Sequence, residues 1–314
     1  LNMNNELDIL LYGSLNMDFV SFVKQLPMTG ETVAADTFLM SPGGKAANQA
    51  VASARLGAKV GLVGRVGSDY LGKEMKQALE QEGVVTDYVL ETDYSETGTA
   101  VVTVNSQGEN TIVTNKGANA FLSKDDITKS ETILKRAKAT ILQLEMEQDE
   151  AEWIIQQAKN NDKVVVLNLA PVVPIRREVL GLVDLLIVNE VEAAQLTGVP
   201  VNSVGSAILA SKELREIGID NVVVTLGAQG AVLHNDQVAK QFIPPQVEVV
   251  DSTAAGDCFV AALTTFWMKT GDLEKSVEDA VLVSALSVTK KGAQTSLPTF
   301  SDYESFLERG VSNG

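Results

Sequence analysis

The 314 residues carry 41 acidic against 25 basic side chains, a net charge of −16, with 45% hydrophobic and 21% charged residues. This balance suits a globular chain with a sizeable core, and its negative field repels phosphate backbones, so nucleic acid is excluded as an expected partner. A lone cysteine, Cys258, and a lone histidine, His234, exclude an internal disulfide and a multi-histidine zinc site.

The apolar run Leu7–Tyr12 reads as a buried strand that stops at Gly13-Ser14. Residues 19–23 and 32–40 hold further strand-like pieces. Residues 43–56 read as a helix whose Ala46, Ala47, Ala50, Val51 and Ala54 form one small face suited to close packing on a sheet. A strand over 59–66 and a helix over 69–82, stopped by Gly83, come next. Residues 101–104 and 110–113 bracket Asn105-Ser106-Gln107-Gly108-Glu109, a hairpin signal. Strands over 139–144, 164–169, 182–188 and 221–226 then alternate with helices over 150–159, 190–196 and 203–217. His234 falls where Val232-Leu233 meets Asn235-Asp236, a hairpin turn. A strand ending near Val250 leads into an apolar helix that runs to about Met268, and the remainder reads as mostly helical.

Alternating strands and helices imply right-handed βαβ units. The expected fold is therefore α/β: a central, mostly parallel sheet with helices on both faces, plus a small β-sheet lid. One domain is expected over 1–314, with the lid formed by excursions at about 15–40 and 88–115, where strand-like pieces break the alternation. The lid edge offers unpaired strand surface, so a homodimer through the lid is an expectation. No apolar stretch approaches the roughly 18 residues that span a bilayer. The nearest, 179–188, contains Asp184. With no charged-then-apolar leader pattern and one cysteine, the expected location is the cytoplasm, without a membrane partner.

The most informative stretch is Asp251-Ser252-Thr253-Ala254-Ala255-Gly256-Asp257-Cys258-Phe259. Small residues and a glycine at the mouth of a helix let a ligand approach the backbone, and free N–H groups with the helix dipole favour an anion there. A carboxylate at such a place is odd unless Asp257 takes a proton, which suggests group transfer to a hydroxyl. The competing reading makes Asp257 a helix cap and nothing more. Cys258 reads as a small buried residue rather than a reactive thiol.

Ligands of open parallel sheets bind at the carboxyl ends of strands, and polar clusters recur at those places here. They are Asn16 and Asp18, Gly43-Gly44-Lys45-Ala46-Ala47-Asn48, Glu145, Asn189-Glu190-Val191-Glu192 and Thr225-Leu226-Gly227-Ala228-Gln229-Gly230. Taken alone, Asn16 and Asn48 suit turn or cap duty, and Lys45 and Glu192 suit a solvated surface.

In this order, the segments 13–18, 43–50, 63–72, 97–112, 143–145, 168–171, 189–198, 225–230, 251–259 and 289–298 resemble the ribokinase family of sugar and nucleoside kinases. There is no Gly-x-x-x-x-Gly-Lys-Ser/Thr loop, so phosphate is held by other means. The resemblance implies ATP-dependent phosphorylation of the 5-hydroxyl of D-ribose, with Asp257 as general base and the N–H groups of Ala254, Ala255 and Gly256 as an anion hole. It implies a sugar set of Asn16, Asp18, Gly44, Lys45, Asn48 and Glu145, whose amides and carboxylates match the donors and acceptors of hydroxyls. It implies that Asn189 and Glu192 organise Mg²⁺ and phosphate, and that Thr225, Gly227, Ala228 and Gly230 border ATP. It further implies a K⁺ site at Asp251, Thr253, Ser287, Lys290, Gly292 and Ser296.

Three positions depart from the family pattern: Ala46 stands for a usual glycine, Leu169 for a usual proline, and Val281 where some members place a histidine near adenine. The alternatives are a sibling kinase acting on another sugar or a nucleoside, and a sugar sensor of the same fold without turnover. A dinucleotide-binding protein follows from the alternation alone, but no Gly-x-Gly-x-x-Gly follows the first strand.

Overall fold

The computed structural model describes residues 6–311, and in it the apolar runs become strands of two sheets. The first strands are β1 (Leu7–Tyr12), β2 (Asn16–Phe22), β3 (Thr37–Gly43), β4 (Val60–Gly67), β5 (Val85–Thr92), β6 (Gly98–Val104) and β7 (Asn110–Asn115). They are followed by β8 (Ala137–Gln143), β9 (Val164–Asn168), β10 (Leu185–Asn189), β11 (Asn221–Thr225), β12 (Ala231–His234) and β13 (Ala239–Phe242). The main sheet has nine strands in the order β13-β12-β11-β10-β9-β8-β1-β4-β5.

Its central strands are buried on both faces. Ile9 and Leu11 of β1 enter one core while Leu10 and Tyr12 enter the other, the period-2 alternation of a sheet covered on both sides. The first core receives α1 (Lys45–Arg55), α2 (Tyr70–Gln81), α9 (Ala255–Thr270), α10 (Leu273–Ser287) and α11 (Phe300–Val311). The second receives α3 (Lys124–Lys129), α4 (Glu131–Leu134), α5 (Gln148–Asn160), α6 (Arg177–Leu180), α7 (Glu190–Thr197) and α8 (Val204–Arg215). Burial of each large aliphatic side chain contributes about 1.5–3 kcal/mol. Sequence signals set the helix ends: the Asp69 carboxylate accepts the Gly72 N–H at 2.8 Å at the start of α2, and Gly198 closes α7 in the left-handed conformation at φ 74°.

The expected α/β architecture, a mostly parallel sheet with helices on both faces, is present, and its details are as follows. Seven strands, β5 through β11 in sheet order, are parallel, but β12 and β13 are antiparallel, so the sheet is mixed. The small sheet, in the order β3-β2-β6-β7, draws on 16–43 and 98–115. Residues 85–92 are edge strand β5 of the main sheet rather than lid, because β4 pairs with them in parallel register. The strand expected over 32–40 begins at Thr37 and runs on to Gly43.

The strand expected to end near Val250 does not form. Its β-branched residues read as strand, but Pro244 and Pro245 remove two donors, and the sheet edge ends at β13. Val250 instead donates its N–H to the Val288 carbonyl at 2.8 Å. Among the described residues, no helix is long and apolar enough to cross a membrane.

Candidate active site

The chain winds from β1 to β4 and β5 on one side, and β8 to β11 lie on the other. This leaves a switch point between β1 and β8, where the two halves of an open sheet splay apart. At the carboxyl ends of these strands stand Ser14, Glu145, Asn168, Asn189 and Thr225.

The sugar-side residues named from sequence converge here, on β2, on the β3–α1 junction and after β8. Gly44 occupies φ 90°, and a Cβ there would lie 2.7 Å from the Ser14 carbonyl oxygen, so only glycine fits. The neighbouring Gly43 leaves room for the Asp18 carboxylate, which a methyl group would strike. Ser14 donates its hydroxyl hydrogen to Glu145 and accepts the Lys45 N–H at 3.1 Å. Asn119 donates to the Asn16 Oδ1 at 2.8 Å, which turns the Asn16 N–H₂ group away from it as a free donor.

The Asp18 carboxylate accepts no hydrogen bond among the described residues. Burial, with the charges of Glu145 and Asp257 added to it, pushes its carboxyl up to about 7. Lys45 is half-buried rather than solvated, and its charge acts on both Asp257 and Glu192.

Asp257 lies in the first turn of α9. Its Oδ2 accepts from the Asn48 amide at 3.0 Å and its Oδ1 from the Gln49 amide at 3.0 Å. The side chain therefore spans from one helix to another instead of bonding to its own helix N-terminus. Burial raises its affinity for a proton, while Lys45, Asn48 and Gln49 oppose that rise. Cys258 beside it is fully buried, and burial pushes its thiol up to about 12, which removes it as a nucleophile.

Just before this turn, Ala254 sits at φ 60°, a left-handed conformation that costs a non-glycine residue about 1–2 kcal/mol. Ala255 donates its N–H to the Ser252 carbonyl at 3.2 Å. Ala254, Gly256 and Asp257 donate theirs to no carbonyl among the described residues, so these groups are the ones left for an anion.

Thr225, Gly227, Ala228 and Gly230 border a cavity of about 700 Å³ that reaches Ala255, Gly256, Phe259 and Val281. Its walls are mostly apolar near Val281 and Ala285, which fits a planar base better than a charged group. Asn189 and Glu192 form a capping box for α7: the Asn189 Oδ1 accepts the Glu192 N–H at 2.8 Å, and the Glu192 Oε2 accepts the Asn189 N–H at 2.8 Å. Their three-residue spacing is thus explained by the helix start, and Glu192 keeps its Oε1 for water or a cation. Burial raises the pKa of this carboxyl.

The third set lies in two loops joined by one carboxylate. Asp251 accepts the Thr253 N–H at 2.9 Å and hydroxyl at 2.6 Å through Oδ1, and the Gly292 N–H at 2.9 Å through Oδ2. Burial alone would raise its pKa, but these donors bring it below the ordinary value. Ser287 and Ser296 turn their hydroxyls onto the carbonyls of Ser284 and Ala293, each at 2.8 Å. The carbonyls of Lys290 and Gly292 accept no hydrogen bond among the described residues, and neutral oxygens of this kind suit a monovalent cation. Among the described residues no cluster of three or more His, Cys, Asp or Glu side chains is arranged to hold a metal.

Residues missed from sequence are Ser14, Gln49, Asn119, Gln143 and Asn168. Each is an uncharged side chain that acts by orienting another, and nothing in its identity distinguishes it from an ordinary buried amide or hydroxyl. The departures are also explained. Ala46 is helical, where alanine is the better residue, and Leu169 donates its N–H to the Ile187 carbonyl at 3.0 Å, a bond proline cannot make.

A model of the pfkB family of carbohydrate kinases matches residues 6–300. The ribokinase of Haemophilus influenzae is 38% identical over 303 residues, covering 96% of this chain and 98% of its own. The deoxyribokinase of Salmonella typhi is 35% identical over 304 residues, with 96% and 99% covered. Among solved structures, Arabidopsis thaliana ribokinase complexed with ribose and ATP superposes with a TM-score of 0.87 at 32% identity, covering 96% of this chain and 99% of that one.

Proposed function

This chain belongs to the pfkB family of carbohydrate kinases, and from that premise we propose that it transfers the γ-phosphoryl group of ATP to the 5-hydroxyl of D-ribose. One observation carries the reading. The turn 254–257 is shared by two ligand spaces: Ala255 and Gly256 line the cavity of about 700 Å³, while the Asp257 carboxylate bonds to Asn48 on the side of Asp18 and Glu145. A donor and an acceptor bound in these spaces meet at a base and at free N–H groups.

In the proposed step the sugar hydroxyl gives its proton to Asp257 as its oxygen forms a bond to the γ-phosphorus. The bond from that phosphorus to the bridging oxygen breaks, and ADP leaves with the electron pair. The N–H groups of Ala254, Gly256 and Asp257 face the charge on the transferring group. Losing one such donor costs on the order of 3 kcal/mol. Asp18, Glu145 and the oriented Asn16 amide suit the hydroxyls of a pentose.

Mg²⁺ neutralises phosphate charge when bound, and Asn189 with the free oxygen of Glu192 would hold it through water. K⁺ would lie among the carbonyls of the loops at 251–253 and 287–296 and keep the anion loop in shape. A requirement for ATP fits a cytoplasmic protein. The exposed apolar residues Phe38, Met40, Ile112 and Val113 of the small sheet support a homodimer through that sheet.

Similarity to deoxyribokinase favours a second reading, in which 2-deoxyribose is the acceptor. The test is ADP release with Mg·ATP and K⁺ across ribose, deoxyribose, fructose and adenosine. Ribose-dominated turnover is expected. Dominant turnover of another acceptor would move the substrate, and no turnover with ribose still bound would favour a sensor.

A further inference from the structure

Gln49 is fully buried, and its amide has no polar atom to spare. Its Nε2 donates to the Asp257 Oδ1 at 3.0 Å and to the Asn168 Oδ1 at 3.1 Å, and its Oε1 accepts from the Gln143 Nε2 at 2.6 Å. An amide has two N–H donors and one carbonyl, so these three bonds admit one orientation only. The reversed amide would set its oxygen against two acceptors and its N–H₂ group against the donor of Gln143.

Gln143 is fully buried too, and its Oε1 has no hydrogen-bond partner. That oxygen lies over Gly13, where any Cβ would strike it. An unpaired buried acceptor costs free energy, and the chain tolerates it here. Turning the Gln143 amide over would bring its oxygen against the Gln49 oxygen, so the orphan atom is what keeps the donor aimed at Gln49.

Resting on the reading of Asp257 as proton acceptor, we propose that the buried amides of Gln143 and Gln49 form a relay that aims the Asp257 carboxylate, with Gln49 as a positioning residue. Asn48 holds the second oxygen, so each carboxylate oxygen accepts one fixed hydrogen bond. Both partners are donors, which leaves the remaining lone pairs to receive a proton from a ligand. The charged groups facing Asp257 divide: Lys45 of α1 favours the ionised form, and Glu145 after β8 and Asp18 on β2 oppose it. Burial opposes it as well, so the two amides help to keep the base ionised.

The test is a double-mutant cycle on the full-length protein: Gln49→Met, Gln143→Met and the pair, with kcat, sugar KM and the acidic limb of the kcat–pH profile measured for each. Methionine keeps the length and loses the donors. Gln49→Met is expected to lower kcat about tenfold or more, to raise the acidic limb by about one pH unit, and to leave sugar KM within about threefold. Gln143→Met should shift the same quantities less, and its effect should vanish in the Gln49→Met background. Unchanged kcat and pH profile in both single variants, or strict additivity, would overturn the relay while leaving Asp257 in its role. Turnover retained by Asp257→Asn would overturn the base assignment and the relay with it.

Discussion

Asn48 and Asp257 lie 209 positions apart in sequence and share a hydrogen bond of 3.0 Å, which joins the first turn of α1 to the first turn of α9. One helix begins at Gly44, where the backbone nears the sugar-side cleft, and the other begins at the turn beside the nucleotide-side cavity. Because Asp257 reaches across to α1, it is not the helix cap that its position alone suggests. Asp257→Asn should therefore lower kcat on the order of a thousandfold while sugar affinity stays within a few-fold, as read by ADP release and calorimetric titration. Near-normal kcat would remove the residue from the base role.

Asp18 gives a pH signature. Its pKa in the folded chain, about 7, exceeds the ordinary carboxylate value, so the folded state binds the proton more tightly than the unfolded state. The stabilisation from this group is complete below pH about 4 and is lost as pH rises through about 7. The Asp18→Asn variant cannot ionise. Its melting temperature in the absence of ligands should overtake that of the parent as pH rises from 5 to 8. A constant difference between the two curves would show that the carboxyl is not perturbed.

Much of the main sheet was legible because its strands are short apolar runs bounded by glycine or by helix-capping residues. Leu7–Tyr12 and residues 221–226 are examples, matched by β1 and β11. The failures share a cause. Residues 243–250 are rich in β-branched side chains, but Pro244 and Pro245 remove two donors, and whether the rest pairs with the edge of β13 is set by the remainder of the chain. The lid expected over 88–115 takes in residues 88–92 of β5 for the same reason, since pairing partners are invisible in a local window. At the site, charged and glycine positions were legible from chemistry and family resemblance. Gln49, Gln143 and Asn119 were not, because their function lies in the direction their amides point.

Gly44 and Ala46 offer opposite substitutions two residues apart. Gly44→Ala forces a Cβ into φ 90° and to 2.7 Å from the Ser14 carbonyl oxygen, so it should destabilise by about 2–3 kcal/mol and weaken sugar binding. Ala46→Gly restores the family's usual residue in a helical position. It should cost about 1 kcal/mol of stability and leave sugar KM unchanged. Denaturant unfolding with sugar KM distinguishes the two, and equal effects on KM would remove Gly44 from the cleft.

The small sheet should mediate self-association. Val113 on β7 is 70% exposed, and the ladder pairs set it in register with Val101, Phe19 and Met40, with exposed Phe38 on the same face at the far edge of the sheet. Val113→Lys places a charge on that apolar surface and should shift the mass seen by light scattering from dimer to monomer without lowering the melting temperature by more than about 2 °C. A parent protein that is monomeric at micromolar concentration would end the dimer proposal.

Asp251 braces Thr253 within the loop before α9 and ties that loop to the one after α10 through Gly292, and the free carbonyls of Lys290 and Gly292 lie in the second loop. A monovalent cation held there would act on the reaction indirectly, by fixing the turn that contains Ala254 and Asp257. K⁺ should accordingly raise kcat more than sugar affinity, and Na⁺ or tetramethylammonium should not substitute. Asp251→Ala removes the side-chain tie to Gly292, leaving only the backbone bonds to Val288 between the two loops, and should abolish the K⁺ response while Mg·ATP binding persists. Equal rates in all three salts would remove the cation from the site, and the Asp251 carboxylate with the backbone bonds to Val288 would then hold the loop.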